Sequence, residues 1–242
     1  MPSSRMLINS GLSVSFLVLI IVFVFRCFSE RKDYPSKLRA RDNVFNALGF
    51  AVMPAYCVGK LFEHYTRFGS GCEVMEPLTP FPWFIPNGII SPCRSEMALV
   101  MLSFLILCVW MIIHRDSRPM RGDLLIIALI VISATRIFTE QLYSEKAVAI
   151  KGIPHGICIL SAAVLTGCVM IWLFRSRGRK KTSQIWIDLT VFILSSVLAL
   201  LTVFGVLSTG GRIGNLAASA GCSLASAAAA IGIGAQSRQL SA

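Results

Sequence analysis

Charged residues are scarce in this sequence. They make up 14% of its 242 residues, and only 12 residues are acidic. A soluble domain carries roughly 25% charged residues, so this scarcity argues against a soluble globular protein. Histidine is also rare, with three residues, and the eight cysteines form no CxxC motif. Because no Cys/His spacing typical of a metal site occurs, the sequence does not predict a metal site.

Apolar residues, by contrast, make up 55% of the sequence and fall in long blocks. Such blocks match a hydrocarbon core about 30 Å thick, and they should be helical because lipid offers no partner to an open backbone. The sequence therefore predicts an all-α fold, a polytopic integral membrane helix bundle with about seven transmembrane helices. The predicted spans are 8–28, 43–59, 96–113, 122–138, 152–174, 185–207 and 213–234.

Basic residues alternate between loops that are rich in them and loops that are poor in them. Fifteen of the 23 lysines and arginines flank the spans on one side, seven on the other, and Arg136 lies within a span. The positive-inside rule makes the rich side cytoplasmic and puts the N-terminus outside. Because the charge sits in short loops beside membrane helices, the net charge of +11 indicates topology rather than nucleic-acid binding.

Ionisable residues gather near the outer ends of three predicted spans. Such groups cost roughly 2.5–3.5 kcal/mol each within a span, and they usually face a partner or a cavity. Arg136 and Glu140 are four residues apart, so they stack on one helical face. Two interpretations stay open: an ion-pair network that clamps helices, or a pocket for an anionic lipid headgroup, whose phosphate suits an arginine fork. The residues that the topology places at one depth are Lys60, Glu63, His64, Glu96, Arg136 and Glu140.

Cysteines give little further information. Five of the eight lie well within predicted spans, where a cysteine usually acts as a small apolar packing residue, and Cys27 lies at the inner boundary of the first span. Cys72 and Cys93 share the long outer loop between residues 60 and 95, and whether they form a disulfide stays open.

Three stretches, in chain order, resemble motifs of one enzyme family. Residues 9–12 read NSGL and residues 59–71 read GKLFEHYTRFGSG. Residues 118–122 read RPMRG, and after an apolar run residues 134–140 read ATRIFTE. These stretches resemble the HGGLxG, GRxGNFxNGELxGR and RPMGxxxG…FRxxxEFFR motifs of the prolipoprotein diacylglyceryl transferases, bacterial enzymes that attach a diacylglyceryl group to a lipoprotein cysteine.

The match to these motifs is partial. Arg136 and Glu140 fall on the arginine and glutamate of the third motif, and Gly71 is retained in the second. Lys60 replaces an arginine and Glu63 an asparagine. Phe68 stands in place of a glutamate, and Asn9 in place of a histidine.

The resemblance implies a domain organisation and two substrates. Residues 1–177 would form a transferase-like membrane domain of five spans, and residues 178–242 a two-span C-terminal membrane extension. Two N-terminal helices of the family pattern would be absent, and whether another chain supplies them stays open. The implied donor is phosphatidylglycerol and the implied acceptor is a lipobox prolipoprotein, at the outer face of the bacterial inner membrane. The resemblance implies no cofactor.

The resemblance also implies roles for single residues. Arg136 would hold the phosphate and stabilise charge on the glycerol phosphate leaving group, while Glu140 would orient Arg136 or take part in proton transfer. Lys60 would be a second phosphate ligand, and His64 would be the thiol base. His155, in the fifth predicted span, is expected to pack or to bond to backbone. The remaining candidate substrate-binding residues are Glu63, Gly71, Asn9 and Glu96.

Two other functions stay open. The unmatched motif positions allow a non-catalytic protein that binds lipid or assists assembly, in effect a pseudoenzyme. A small-solute transporter is the third class, although many transporters consist of two related halves and this sequence has no internal repeat. An open groove at Arg136, Glu140 and Lys60 would indicate an enzyme, whereas closed ion pairs would indicate a structural clamp.

Overall fold

The fold is entirely helical in the part of the chain that the computed structural model describes, namely residues 4–33, 37–67, 92–113, 122–142, 155–175, 183–207 and 212–239. No strand occurs in these ranges, so the prediction of an all-α protein is confirmed. The helices are α1 (Ser4–Asp33), α2 (Lys37–Arg67), α3 (Pro92–Ile113), α4 (Asp123–Thr139) with a 3₁₀ turn (Glu140–Leu142), α5 (Gly156–Arg175), α6 (Ser183–Val203) and α7 (Arg212–Gln239).

Five of these helices are long and apolar enough to cross a membrane, which makes the chain a multi-pass membrane protein. The candidate spans among the described residues are Val44–Phe62, Cys93–Ile112, Gly156–Arg175, Ser183–Val203 and Gly214–Ala235. A shorter apolar segment, Ser13–Cys27, lies in α1, and α4 has 17 residues. The seven spans and the outer N-terminus therefore remain predictions.

The helices expose many large apolar side chains, and they bury several small polar side chains beside the apolar core. Leu105 and Ile106 of α3 are exposed, as is Leu194 of α6, whereas Ser219 and Ser226 of α7 are buried. Lipid tails are as apolar as leucine, so an apolar outer face costs nothing in a membrane, and small residues let helix backbones approach closely. This distribution fits a membrane environment.

Two compact units make up the chain, Met1–Ala128 and Leu129–Ala242. In the first unit α1 packs against α2, and α2 against α3. In the second unit α7 packs against α5 and α6. The domain boundary that the sequence suggested, between residues 177 and 178, rests on the resemblance and stays a prediction.

In the first unit, α2 approaches the start of α4 at a glycine. A methyl group at Gly49 would overlap the backbone of Leu124 and Leu125, so this approach requires a residue without a side chain. Beside it, the side-chain oxygen of Asn46 accepts a hydrogen bond from the Leu124 N–H at 3.2 Å. The first N–H groups of a helix lack a partner within it, so Asn46 caps α4 from a neighbouring helix.

In the second unit, glycines fix both the end of α6 and the packing of α7. Gly205 has φ 70, and the N–H of Val206 donates to the carbonyl of Leu201 at 2.9 Å. This cap ends α6 at Val203, before the end predicted at residue 207. In α7, a Cβ at Gly234 would lie 2.7 Å from the ring of Trp172 in α5, so these helices also meet at a glycine.

Candidate functional site

The first buried charge cluster joins α2 to α3 within the first unit. Lys60 Nζ lies 2.7 Å from Oε2 of Glu96, and the Tyr56 hydroxyl donates a hydrogen bond to the same oxygen at 2.7 Å. The Lys60 ammonium also lies 5.5 Å from the centre of the Tyr56 ring. We refer to Tyr56, Lys60 and Glu96 as the Glu96 cluster.

Helix geometry explains how the Glu96 cluster forms. Tyr56 and Lys60 are four residues apart in α2, so both point from one helical face. Glu96 lies near the start of α3, where the positive end of the helix dipole favours a carboxylate. The Glu96 side chain is fully buried, and that of Lys60 is 13% exposed. The charges are therefore paired and enclosed, as a helix clamp requires.

The second buried charge cluster lies at the end of α4, within the second unit. Arg136 Nη2 lies 3.1 Å from Oε2 of Glu140, and His155 Nδ1 lies 3.4 Å from Oε1 of the same carboxylate. The Glu140 side chain is fully buried, whereas those of Arg136 and His155 are 8% and 22% exposed. We refer to Arg136, Glu140 and His155 as the Glu140 cluster.

The end of α4 sets the geometry of Arg136 and Glu140. The Thr139 hydroxyl donates to the carbonyl of Thr135 at 3.0 Å, and the next three residues tighten into the 3₁₀ turn. Such tightening is common at helix ends, where the last carbonyls lack helical partners. Glu140 therefore stays one turn above Arg136, and the two side chains meet as their spacing predicts.

His155 reaches Glu140 from the start of α5. Its backbone has φ 54, a left-handed conformation that is uncommon outside glycine, and its carbonyl accepts a hydrogen bond from the Ile159 N–H at 3.1 Å. The imidazole packs edge-on against Phe204, in the turn that follows α6, with ring centres 5.3 Å apart. The sequence led to the expectation that this side chain packs or bonds to backbone, so its packing against Phe204 was expected. The contact with Glu140 was not.

For the other site residues predicted from the sequence, the structure describes the backbone only or does not describe the residue. Asn9 lies in α1, and Glu63 and His64 lie near the end of α2, but the described side chains do not include these three. Gly71 lies outside the described residues. Cys72 does too, so its disulfide with Cys93 remains untested.

The common depth of the charged residues also stays a prediction. Lys60 and Glu96 belong to the first unit, and Arg136 and Glu140 belong to the second. Each unit brings its own two residues together as a pair. In chemical terms, each pair supplies a fixed cation beside a buried carboxylate, and the second pair adds an imidazole.

Metal ligands and relatives give no further guide to function. Among the described residues, no group of three or more His, Cys, Asp or Glu side chains is placed to hold a metal ion. No protein-family model, curated protein or solved structure matches this chain. The resemblance to the diacylglyceryl transferases therefore rests on the motif residues of the chain itself.

Sequence reasoning missed one member of each cluster. Tyr56 lies in an apolar block, where an aromatic residue usually packs, although its spacing of four from Lys60 was a usable signal. His155 is separated from Glu140 by residues 141–154, and no helical periodicity relates the two. Only the fold of the second unit brings them together.

Proposed function

We propose that the protein transfers a diacylglyceryl group from phosphatidylglycerol to the cysteine thiol of a lipobox prolipoprotein in the bacterial inner membrane. The observation that carries this proposal is the pairing of Arg136 with Glu140, buried at the end of an apolar helix. The two residues occupy the arginine and glutamate positions of the family motif that the sequence resembles. Ionisable groups in such places are costly, and they commonly mark a functional site.

The proposed topology has seven spans with the N-terminus outside. The five apolar helices support it, together with the apolar segment of α1 and the 17 residues of α4. The alternation of basic-rich and basic-poor loops supports the orientation. In this topology α4 begins at the cytoplasmic side, so the Glu140 cluster lies toward the outer face, where a lipoprotein precursor is modified.

In the proposed reaction, Arg136 holds the phosphate of the lipid. When the bond between glycerol carbon and phosphate oxygen breaks, negative charge grows on the leaving glycerol phosphate. A fixed guanidinium in a dry site stabilises that charge, and its planar fork matches phosphate geometry. Glu140 lies 3.1 Å from Arg136 and fixes its orientation.

A second candidate function is a non-catalytic protein that binds lipid or assists assembly. The observation that favours it is the burial of both carboxylates, each of which already contacts a cation. Lys60, which the resemblance makes a second phosphate ligand, has Glu96 at 2.7 Å. The family's histidine and glutamate positions are also occupied by Asn9 and Phe68. A pseudoenzyme would keep the fold and the pairs without the reaction.

The test measures how fast the purified full chain transfers a labelled diacylglyceryl group from phosphatidylglycerol in vesicles to a lipobox peptide. We expect Arg136→Ala to lower the rate by at least about 100-fold, which is the order lost when one fixed charge-stabilising donor is removed. Arg136→Lys keeps the charge that balances Glu140 but loses the fork, so it should fold and still lose most activity. Arg175→Ala, at an exposed arginine that ends α5, is the matched control.

Two outcomes would contradict the proposal. Absence of transfer by folded wild-type protein would favour the pseudoenzyme, and phosphatidylglycerol binding by wild type and by Arg136→Lys would then be compared. Equal activity in wild type and both Arg136 variants would remove the phosphate role from this residue.

A further inference from the structure

The imidazole of His155 is the most accessible member of the Glu140 cluster. Its side chain is 22% exposed, against 8% for Arg136 and none for Glu140. A substrate group that approaches the cluster therefore meets the imidazole more readily than the carboxylate. The carboxylate serves as the buried link between two groups that can act on a substrate.

The contact with Glu140 decides which nitrogen of a neutral imidazole can take a proton. Nδ1 faces the carboxylate, which can only accept a hydrogen bond when it is ionised, so the proton belongs on Nδ1. The lone pair is then on Nε2, as in other histidine bases that a carboxylate orients. The 3.4 Å separation is longer than a tight hydrogen bond of about 2.7–3.2 Å, and such contacts commonly shorten when substrate binds.

The backbone of His155 gives an independent indication. Its φ of 54 is the one positive φ at a non-glycine residue within the described ranges. Non-glycine residues in this conformation carry strain that the surrounding structure must impose, and they cluster at functional sites. Here the imposed conformation turns the imidazole toward Glu140 on one side and Phe204 on the other.

Within the described part of the second unit, a charged group and an aromatic ring contact the imidazole. Glu140 is the charged group in contact with it, and Arg136 contacts the other oxygen of that carboxylate. From the turn after α6, the apolar ring of Phe204 packs against the imidazole. The guanidinium and the imidazole thus contact the two oxygens of one carboxylate, an arrangement that suits the two ends of a single displacement reaction.

We propose that His155 is the base that removes the proton from the acceptor thiol, with Glu140 as its positioning residue, an inference that rests on the proposed transferase function. Nε2 takes the thiol proton while sulfur forms a C–S bond with the glycerol carbon. The bond from that carbon to the phosphate oxygen breaks, and its electron pair leaves on the glycerol phosphate beside Arg136. The imidazolium, balanced by Glu140, then passes its proton to the departing phosphate or to water.

Replacement of His155 by asparagine separates a catalytic from a structural role. Asparagine keeps a side-chain donor near the position of Nδ1 and tolerates a positive φ, so it preserves the contact with Glu140 and the backbone. It has no counterpart of Nε2. The transfer assay with phosphatidylglycerol vesicles and a lipobox peptide is run on the full chain over a range of pH, with folding checked by thermal unfolding. His114→Asn is the histidine control, at a residue that the sequence places beside the cytoplasmic end of the third predicted span.

We expect His155→Asn to lower kcat by at least about 100-fold at neutral pH, within the range for loss of a general base, and to leave the peptide KM nearly unchanged. Without a base, the reaction depends on thiolate already formed in the peptide. The variant's rate should therefore rise about tenfold per pH unit until the ordinary pKa of a cysteine thiol, about 8.5, is reached. Added imidazole should partly restore activity to His155→Ala.

The outcomes distinguish a failure of this inference from a failure of the proposed transferase function. A folded wild-type protein without transfer activity overturns both. Loss of activity in Arg136→Lys with normal activity in His155→Asn overturns the role of His155 alone. The same role is overturned if His64→Asn loses activity while His155→Asn keeps it, or if His155→Asn is slow with neither the steep pH dependence nor rescue by imidazole.

Discussion

The two buried carboxylates, Glu96 and Glu140, are bound in different ways. One oxygen of Glu96 contacts both Tyr56 and Lys60, which come from a single face of α2. The two oxygens of Glu140 contact different groups, Arg136 from its own helix and His155 from the start of α5. The first arrangement ties two helices together with its charges enclosed, whereas the second leaves an imidazole partly exposed.

This difference bears on the two interpretations that the sequence leaves open, a helix clamp and a headgroup pocket. The Glu96 cluster has the geometry of a clamp. The Glu140 cluster has a cation and a partly exposed imidazole on one carboxylate, which are the groups that the proposed transfer reaction uses. The two buried ion pairs therefore differ in kind, and we expect the same type of substitution to have different effects in the two clusters.

The largest expected effect on stability is that of Glu96→Leu. It leaves the Lys60 ammonium buried without its carboxylate, and the loss of one partner from a buried pair typically costs about 3–5 kcal/mol. We expect the free energy of unfolding in detergent to fall by that order. Arg94→Leu, at an exposed residue in the same helical turn, should change it by less than about 0.5 kcal/mol. A Glu96→Leu protein as stable as wild type would contradict the clamp.

A smaller effect is expected for Tyr56→Phe. The substitution removes one hydrogen bond to the Glu96 carboxylate and leaves the Lys60 contact in place. A hydrogen bond to a charged group contributes about 1.5–3 kcal/mol, so a decrease in unfolding free energy at or below that range is expected. Unfolding in the same detergent measures it. A decrease as large as that of Glu96→Leu would mean that the hydroxyl, not the ammonium, is the main partner of Glu96.

The smallest effect is expected when both charges of the Glu96 cluster are removed together. Replacement of a buried ion pair by apolar residues of similar volume is often neutral or stabilising. The double variant Lys60→Met/Glu96→Leu should therefore unfold within about 1 kcal/mol of wild type, and it should still bind phosphatidylglycerol vesicles. Loss of lipid binding in this stable protein would instead make Lys60 a phosphate ligand, as the resemblance implies.

Much of the helical architecture could be predicted from the sequence. Each predicted apolar block overlaps an observed helix, because the thickness of a hydrocarbon core limits where such blocks begin and end. Helix ends were less predictable, since they depend on local caps. The cap at Gly205 ends α6 before the apolar run itself ends, and Asn46 caps α4 from another helix.

The contacts of the candidate site were predictable where the spacing of two residues along one helix sets them. The meeting of Arg136 and Glu140 follows from their spacing of four residues. Contacts between different helices were not predictable, because the rotation of each helix about its axis is set by packing against its neighbours. The sequence could give Lys60 and Glu96 a similar depth without pairing them, and it gave His155 no link to Glu140.

The most direct test of this contrast is the transfer rate of two matched variants, Glu96→Gln and Glu140→Gln. Each exchanges a fully buried carboxylate for an amide of nearly the same shape. With rates normalised to folded protein, we expect Glu140→Gln to lose at least about 100-fold, because both the proposed phosphate-binding cation and the proposed base lose their shared anion. Glu96→Gln should stay within about threefold of wild type, within the range of a residue remote from the chemistry. Equal losses in the two variants, or a larger loss in Glu96→Gln, would contradict the account.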